Sequence, residues 1–95
     1  MQLQNKVAIV TGGARGIGAG IARCLADAGA QVAVVDLDGD AAEATAAALP
    51  VRGIGLRADV SQENEMEQAA QQIVQRLGAL DFLINNAGGG KPGSG

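Results

Sequence analysis

The chain has 95 residues and a formal net charge of −3, which suits one modest domain and leaves no basic stripe for nucleic acid. It contains one cysteine and no histidine, which excludes an internal disulfide and a zinc site built from Cys and His ligands. No aliphatic run is long enough to cross a bilayer, so we expect a cytoplasmic protein with neither nucleic-acid nor membrane partners.

Apolar runs and amphipathic stretches alternate along the chain. Four short apolar runs predict strands, at Val7–Val10, Gln31–Asp36, Val51–Leu56 and Asp81–Asn85. Three longer stretches predict helices, at Gly16–Ala28, Asp40–Leu49 and Gln62–Leu77. Aliphatic strands separated by helices indicate a parallel sheet covered on both faces. Right-handed crossovers then make a Rossmann-like doubly wound α/β fold, with strand order 3-2-1-4, the simplest topology.

Several polar residues stand where helices are expected to begin or end. Ser61 is the predicted N-cap of the third helix, and Asp38 or Asp40 caps the second. Gly29 and Gly78 stand at expected helix C-termini.

Two further side-chain groups carry no predicted chemistry. Cys24, between apolar neighbours in the first helix, is expected to be an ordinary buried thiol. Glu63, Glu65 and Glu67 are expected to form a solvated face of the third helix, with the first two also favourably placed in its first turn.

The segment Thr11–Gly18 joins the first strand to the first helix, where unpaired N–H groups and the positive end of the helix dipole favour phosphate. A Walker A loop requires Lys and Ser/Thr after its last glycine, whereas Ala19 and Gly20 follow here. The G-x-G-x-x-G fingerprint fails as well, because Ile21 stands where its third glycine belongs. The remaining pattern, Thr-Gly-x-x-x-Gly-x-Gly, predicts a nucleotide site.

This glycine pattern resembles that of the short-chain dehydrogenase/reductase family. Three further family features follow in register: Asp36 at the end of the second strand, Asp59-Val60 after the third, and Asn85-Asn86-Ala87-Gly88 at the end of the fourth. The resemblance covers essentially all 95 residues and implies the family's N-terminal, cofactor-binding half. It implies a dinucleotide-binding half-domain over residues 1–88, followed by a glycine-rich loop over 89–95.

The matching positions receive roles from physical chemistry and from the resemblance. Gly12 permits a tight turn, Gly16 a close approach of the pyrophosphate, and Gly18 close packing of helix on strand. By resemblance Asp59 and the Val60 N–H contact adenine, and Asn85 is structural. The predicted cofactor-binding residues are Gly12, Arg15, Gly16, Ile17, Gly18, Asp36, Leu37, Asp59, Val60, Asn86, Ala87 and Gly88.

The predicted cofactor is NAD rather than NADP. Asp36 is placed to accept hydrogen bonds from the adenosine ribose hydroxyls, and it would repel a 2′-phosphate. Unit charges about 4 Å apart repel by about 4 kcal/mol at an effective dielectric constant of about 20. Leu37 follows Asp36, where an arginine would hold that phosphate. Arg15 favours NADP, and we give Asp36 the greater weight.

The family's reaction resembles acid–base chemistry by a tyrosine, assisted by a lysine and a serine. Those residues lie beyond the fourth strand in the family, and this chain has no tyrosine, so no catalytic residue is predicted. We therefore expect a fragment truncated after the fourth strand, with Phe82, Leu83 and Ile84 on an exposed apolar edge. The resemblance implies a homo-oligomeric parent that acts on a small-molecule alcohol or carbonyl.

The sequence is compatible with three functions. The favoured one is the cofactor-binding part of an NAD(H)-dependent short-chain oxidoreductase that interconverts an alcohol and a carbonyl by hydride transfer. A second is a non-catalytic module that binds NAD or an adenine nucleotide. A third is a methyltransferase-like fold, against which the 85–88 segment and the long glycine spacing argue.

Overall fold

Four strands and three helices alternate in a computed structural model that describes residues 2–51 and 53–86. The strands are β1 (Val7–Thr11), β2 (Gln31–Asp36), β3 (Ile54–Arg57) and β4 (Phe82–Asn85). The helices are α1 (Gly16–Asp27), α2 (Gly39–Ala47) and α3 (Glu63–Leu77). All pairings are parallel and the strand order is β3-β2-β1-β4, which confirms the predicted Rossmann-like fold.

Each face of the sheet carries its own apolar cluster, because alternate side chains of a strand point to opposite faces. On one face Val10, Val32 and Val34 pack with alanines of α1 and α2. On the other face Ile9 and Val35 pack with Ile73 and other residues of α3. The alanine-rich helices α1 and α2 therefore lie close to the sheet, and α3 covers the opposite side.

The predicted capping residues agree with the structure in three cases and differ in one, and each helix boundary lies within two residues of its prediction. Asp38 caps α2 by accepting a hydrogen bond from the Ala41 N–H, 3.1 Å. Gly78 is the C-cap residue of α3, with φ of 88°. Gly29, with φ of 103°, directly follows Ala28, the C-cap residue of α1. The prediction that Ser61 caps α3 is wrong, since the helix begins one residue later and Gln62 occupies the N-cap position.

The expectation that Cys24 is buried is also wrong, since its thiol is exposed on α1. The buried residues of this helix are Gly18, Ala22 and Ala26, spaced by four. Cys24 lies two residues from both alanines, which places it about 200° around the helix and on the solvent side. Apolar neighbours in the sequence misled the prediction, because helical periodicity decides the face.

Two strands begin later than the sequence predicts. Before β3, the Gly53 N–H donates to the Ala46 carbonyl of α2 (3.3 Å) and not to a strand. Before β4, Asp81 pairs reciprocally with Val7: its N–H donates to the Val7 carbonyl (2.8 Å) and its carboxylate accepts from the Val7 N–H (2.9 Å). A side chain thus replaces part of the backbone ladder.

The outer edge of the sheet at β4 is apolar. Phe82 and Leu83 are exposed, as the sequence predicts, whereas Ile84 is partly buried against the cluster that contains Val10. Within the described residues, no helix combines the length and the apolar character needed to cross a bilayer.

Candidate functional site at the carboxyl edge of the sheet

The predicted site residues that the structure describes lie together at one edge of the sheet, because the carboxyl ends of parallel strands meet there. β1 leads into the glycine loop, β2 ends at Asp36, and the chain after β3 carries Asp59 and Val60. Asn86 follows β4, which pairs with β1. The predicted residues Ala87 and Gly88, like the loop over 89–95, lie outside the described residues. Since α1 and α3 cover opposite faces, the end of β1 is the topological switch point, where parallel α/β sheets bind their ligands.

The glycine loop has the backbone that its sequence predicts. Gly12 and Gly16 adopt φ of 63° and 61°, in the left-handed region that favours glycine. A Cβ on Gly18 would overlap the Gly12 carbonyl oxygen and crowd the Asn86 side-chain amide, whereas a Cβ on Gly16 would meet none of the described residues within 4 Å. Gly18 therefore lets α1 pack against the turn, and Gly16 borders open space.

The start of α1 offers unneutralised hydrogen-bond donors. Arg15 occupies the N-cap position without a side-chain hydrogen bond to the helix, and the first turn holds no acidic residue. The N–H groups of a first turn have no partners inside the helix, and the dipole adds positive potential. Ile17 stands beside them with 78% of its surface exposed. This corner can receive an anion with an apolar group beside it.

Asp36 links the end of β2 to the glycine loop. Its carboxylate accepts hydrogen bonds from the Ala14 N–H (3.2 Å) and from the Asp38 N–H (3.1 Å). A carboxylate has about four lone-pair directions, so it retains capacity for ligand hydroxyls. Leu37 follows, 59% exposed, beside this carboxylate in the chain.

Arg15 is engaged by a carboxylate that the predicted site does not include. Its guanidinium donates to Asp38 Oδ2 at 2.6 Å, and both side chains are exposed. Asp38 uses its other oxygen to cap α2. The basic side chain of the glycine loop is thereby held at the start of α2.

Asp59 and Val60 lie in the turn between β3 and α3. Asp59 accepts hydrogen bonds from the Ser61 N–H (3.0 Å) and hydroxyl (2.6 Å), and its own N–H donates to Glu65 (2.8 Å). The Ser61 hydroxyl, then its N–H and more weakly Arg57, lower the pKa of the Asp59 carboxyl, which desolvation opposes. Val60 packs against the α3 side of the core.

The solvated role predicted for the acidic residues of α3 is wrong for Glu65. Its Oε1 accepts from the Asp59 N–H and lies 3.4 Å from the Arg57 guanidinium. Glu65 therefore fixes the turn in which Asp59 lies. The reason is tertiary, since the helix start folds back on the end of β3.

The end of β4 is tied to the end of β1 through Thr11, a residue the sequence analysis left without a role. The Thr11 hydroxyl lies 3.1 Å from Asn85 Oδ1 and accepts from the Asn86 N–H at 3.0 Å. The Asn86 side-chain amide donates to the Gly12 carbonyl at 3.3 Å. These contacts brace two neighbouring strands, the structural role that the resemblance implies for Asn85.

Thr45 on α2 is a second residue that the sequence analysis missed. Its hydroxyl donates to the Ala14 carbonyl at 2.7 Å, across 31 positions of sequence. The available signal was a single hydroxyl in an alanine-rich helix. A separate surface cleft beside β3, bordered by Gln31, Glu43 and Arg76, contains none of the predicted site residues.

Known proteins resemble this chain over nearly its whole length. The family model described as short chain dehydrogenase matches residues 6–94. The chain is 48% identical to the sex determination protein tasselseed-2 of Zea mays over 92% of its length, and 46% identical to the L-fucose dehydrogenase of Oryctolagus cuniculus over 92%. It is 40% identical to the 7alpha-hydroxysteroid dehydrogenase of Escherichia coli strain K12 over 97%.

The same alignments cover only part of each relative. The chain spans 26% of the maize protein, 30% of the rabbit enzyme and 37% of the bacterial one. The similarity therefore concerns a segment of these proteins.

Proposed function

The chain belongs to the short-chain dehydrogenase family, and from that premise we propose that it is the cofactor-binding part of an NAD(H)-dependent oxidoreductase. The reaction would interconvert an alcohol and a carbonyl by hydride transfer, and the nicotinamide would supply the hydride acceptor or donor. Relatives include proteins named L-fucose and 7alpha-hydroxysteroid dehydrogenase, which suggests a small hydroxylated substrate.

The start of α1 fits the cofactor's pyrophosphate. Its first turn has no acidic residue and no capping side chain, and Gly16 borders open space. Backbone N–H groups would hold the phosphates, with the dipole adding favourable potential. Ile17 would contribute an apolar contact beside them.

The position of Asp36 carries the choice of NAD. Its carboxylate lies at the end of β2 and accepts the Ala14 N–H of the glycine loop, so the acidic group borders the phosphate corner. There it would accept the adenosine ribose hydroxyls and repel a 2′-phosphate. Leu37 would lie beside the same ribose.

The Arg15–Asp38 pair supports the same choice. Arg15 is the residue of the loop that would favour a 2′-phosphate, and its guanidinium is already bound to Asp38. An NADP phosphate would have to compete with that carboxylate for the arginine.

The remaining site residues complete the proposed contacts. Asp59 and the Val60 N–H would bind the adenine edge, held in place through Ser61 and Glu65. Asn86 would support the ribose side through its bond to the Gly12 carbonyl, and Ala87 and Gly88 are proposed to line the adenosine ribose.

Calorimetric titration of the protein with NAD and with NADP tests this proposal. We expect NAD to bind at least about tenfold more tightly than NADP. Asp36 would repel the 2′-phosphate, and Arg15, the basic residue of the loop, is already paired with Asp38. Equal or tighter binding of NADP would overturn the NAD assignment. Binding of S-adenosylmethionine in place of either dinucleotide would contradict the proposed oxidoreductase function.

A further inference from the structure

Two side chains from the second strand–helix unit hold the backbone on both sides of Ala14. The Asp36 carboxylate accepts the Ala14 N–H at 3.2 Å, and the Thr45 hydroxyl donates to the Ala14 carbonyl at 2.7 Å. Ala14 itself is buried, with 7% of its surface exposed. The glycine loop is therefore fixed at this point by residues 22 and 31 positions away.

The Thr45 contact sets the direction of the peptide that leads into α1. In a trans peptide the carbonyl and the following N–H point in opposite directions. Because the Ala14 carbonyl is drawn toward α2, the Arg15 N–H must point away from α2. Arg15 is the N-cap residue, extended at φ −156° and ψ 170°, so the first turn of the helix starts from this peptide.

We propose that Thr45 is a positioning residue for the pyrophosphate of the bound dinucleotide. Its hydroxyl aligns the Ala14–Arg15 peptide, and through that peptide the first N–H groups of α1, without touching the ligand. The proposal rests on the proposed function, in which those N–H groups receive the phosphates. It extends the cofactor site to α2, which carries none of the other proposed ligand contacts.

Substitutions at Thr45 can distinguish the hydrogen bond of its hydroxyl from the packing of its side chain. Valine has the shape and branching of threonine but no donor, so Thr45→Val leaves the Ala14 carbonyl without its partner while keeping the volume. Serine keeps the donor and loses only the methyl group. The two variants therefore isolate the hydroxyl.

The experiment measures displacement of NADH, followed by its own fluorescence, with ADP-ribose and with adenosine. ADP-ribose contains the pyrophosphate and adenosine does not. For Thr45→Val we expect about tenfold weaker binding of NADH and ADP-ribose, with adenosine within about twofold of the original protein. Thr45→Ser should bind all three ligands within about threefold of it.

The controls separate this inference from the proposed function. If the original protein fails to bind NADH, the proposed function fails. If NADH binds but Thr45→Val weakens no ligand, or weakens adenosine as much as ADP-ribose, the positioning role of Thr45 is wrong. Thr45→Ala, which also lacks the donor but favours helix, carries the same expectation should the valine variant not fold.

Discussion

The starts of α1 and α3 are built alike in backbone and oppositely in charge. Each helix follows a strand at the same edge of the sheet, and neither N-cap residue, Arg15 or Gln62, bonds to its own helix through a side chain. The first turn of α1 contains glycine and no acid, whereas that of α3 contains Glu63 and Glu65. A helix dipole alone therefore does not make a phosphate site, because α3 neutralises its own.

The two turns also differ in what holds them. The turn before α3 is fixed by near neighbours, with Asp59 bonded to Ser61 and to Glu65. The loop before α1 is fixed from a distance, through Thr45 and Asp36 on one side and Asn86 on the other. The second arrangement depends on the assembled sheet, and within the described residues it places no capping side chain on the donors of the helix start.

The largest expected effect comes from filling the space that lets α1 approach its loop. In Gly18→Ala the new Cβ would overlap the Gly12 carbonyl, and we expect a loss of about 3 kcal/mol in the free energy of unfolding. Gly20→Ala is the matched control, since its Cβ meets nothing within 4 Å and should add about 0.5–1 kcal/mol. Urea denaturation measures both, and equal effects would contradict the close approach.

A smaller effect is expected when the first turn of α1 receives an acidic residue, as the first turn of α3 has. Ile17 is exposed in the first turn, so Ile17→Glu and Ile17→Gln differ almost only in charge. The glutamate variant should bind NAD about tenfold more weakly than the glutamine variant, through repulsion of the pyrophosphate. It should nevertheless be the more stable of the two without ligand, by about 0.3–1 kcal/mol, because an acid favours a helix N-terminus.

Calorimetry for affinity and urea denaturation for stability supply the two readouts for the Ile17 variants. Weaker NAD binding together with higher stability in the glutamate variant would confirm that charge distinguishes the start of α1 from that of α3. If the glutamate variant bound NAD as well as the glutamine variant, phosphate would not be held at α1.

The smallest expected effect lies in the turn before α3. Ser61→Ala removes the hydroxyl that most strongly lowers the pKa of Asp59, so this pKa should rise toward its ordinary value. A folded-state pKa below the unfolded one contributes stability above the unfolded pKa, which is lost as pH falls through the folded pKa. The contribution therefore disappears in the acid range below about pH 4.

An NMR titration of the Asp59 carboxyl carbon in both proteins checks the direction of the pKa change. An unchanged pKa in Ser61→Ala would show that the local bonds of this turn do not stabilise the ionised Asp59.

Much of the fold follows from the sequence, because periodicity and turn chemistry are local. The aliphatic runs gave β1 and β2 to within one residue, and Gly78 marked the end of α3. The errors at the starts of β3 and β4 lie where long-range contacts decide. Gly53 bonds to α2 in place of a strand, and Asp81 substitutes a carboxylate for backbone pairing.

The residues of the candidate site likewise fall into those that the sequence predicts and those that only the folded structure shows. The glycine pattern and Asp36 were visible because their spacing in the sequence is fixed by one turn and one crossover. Thr45 and Glu65 were not, since each acts on a residue that only the folded sheet brings near. A hydroxyl in an alanine-rich helix and a glutamate in a first turn have ordinary local explanations, which tertiary structure overrides.

The most direct test of the account is a titration of ¹⁵N-labelled protein with NAD, followed by amide NMR shifts. Because the adenine is proposed to bind beside α3, at Asp59 and Val60, the changes that adenosine alone produces are subtracted. We expect the remaining changes to be largest at Gly16, Ile17 and Gly18 at the start of α1, with the corresponding amides of α3, Glu63, Asn64 and Glu65, changing far less. Shifts concentrated at the start of α3, or spread equally over both helix starts, would contradict the assignment of the phosphate site to α1.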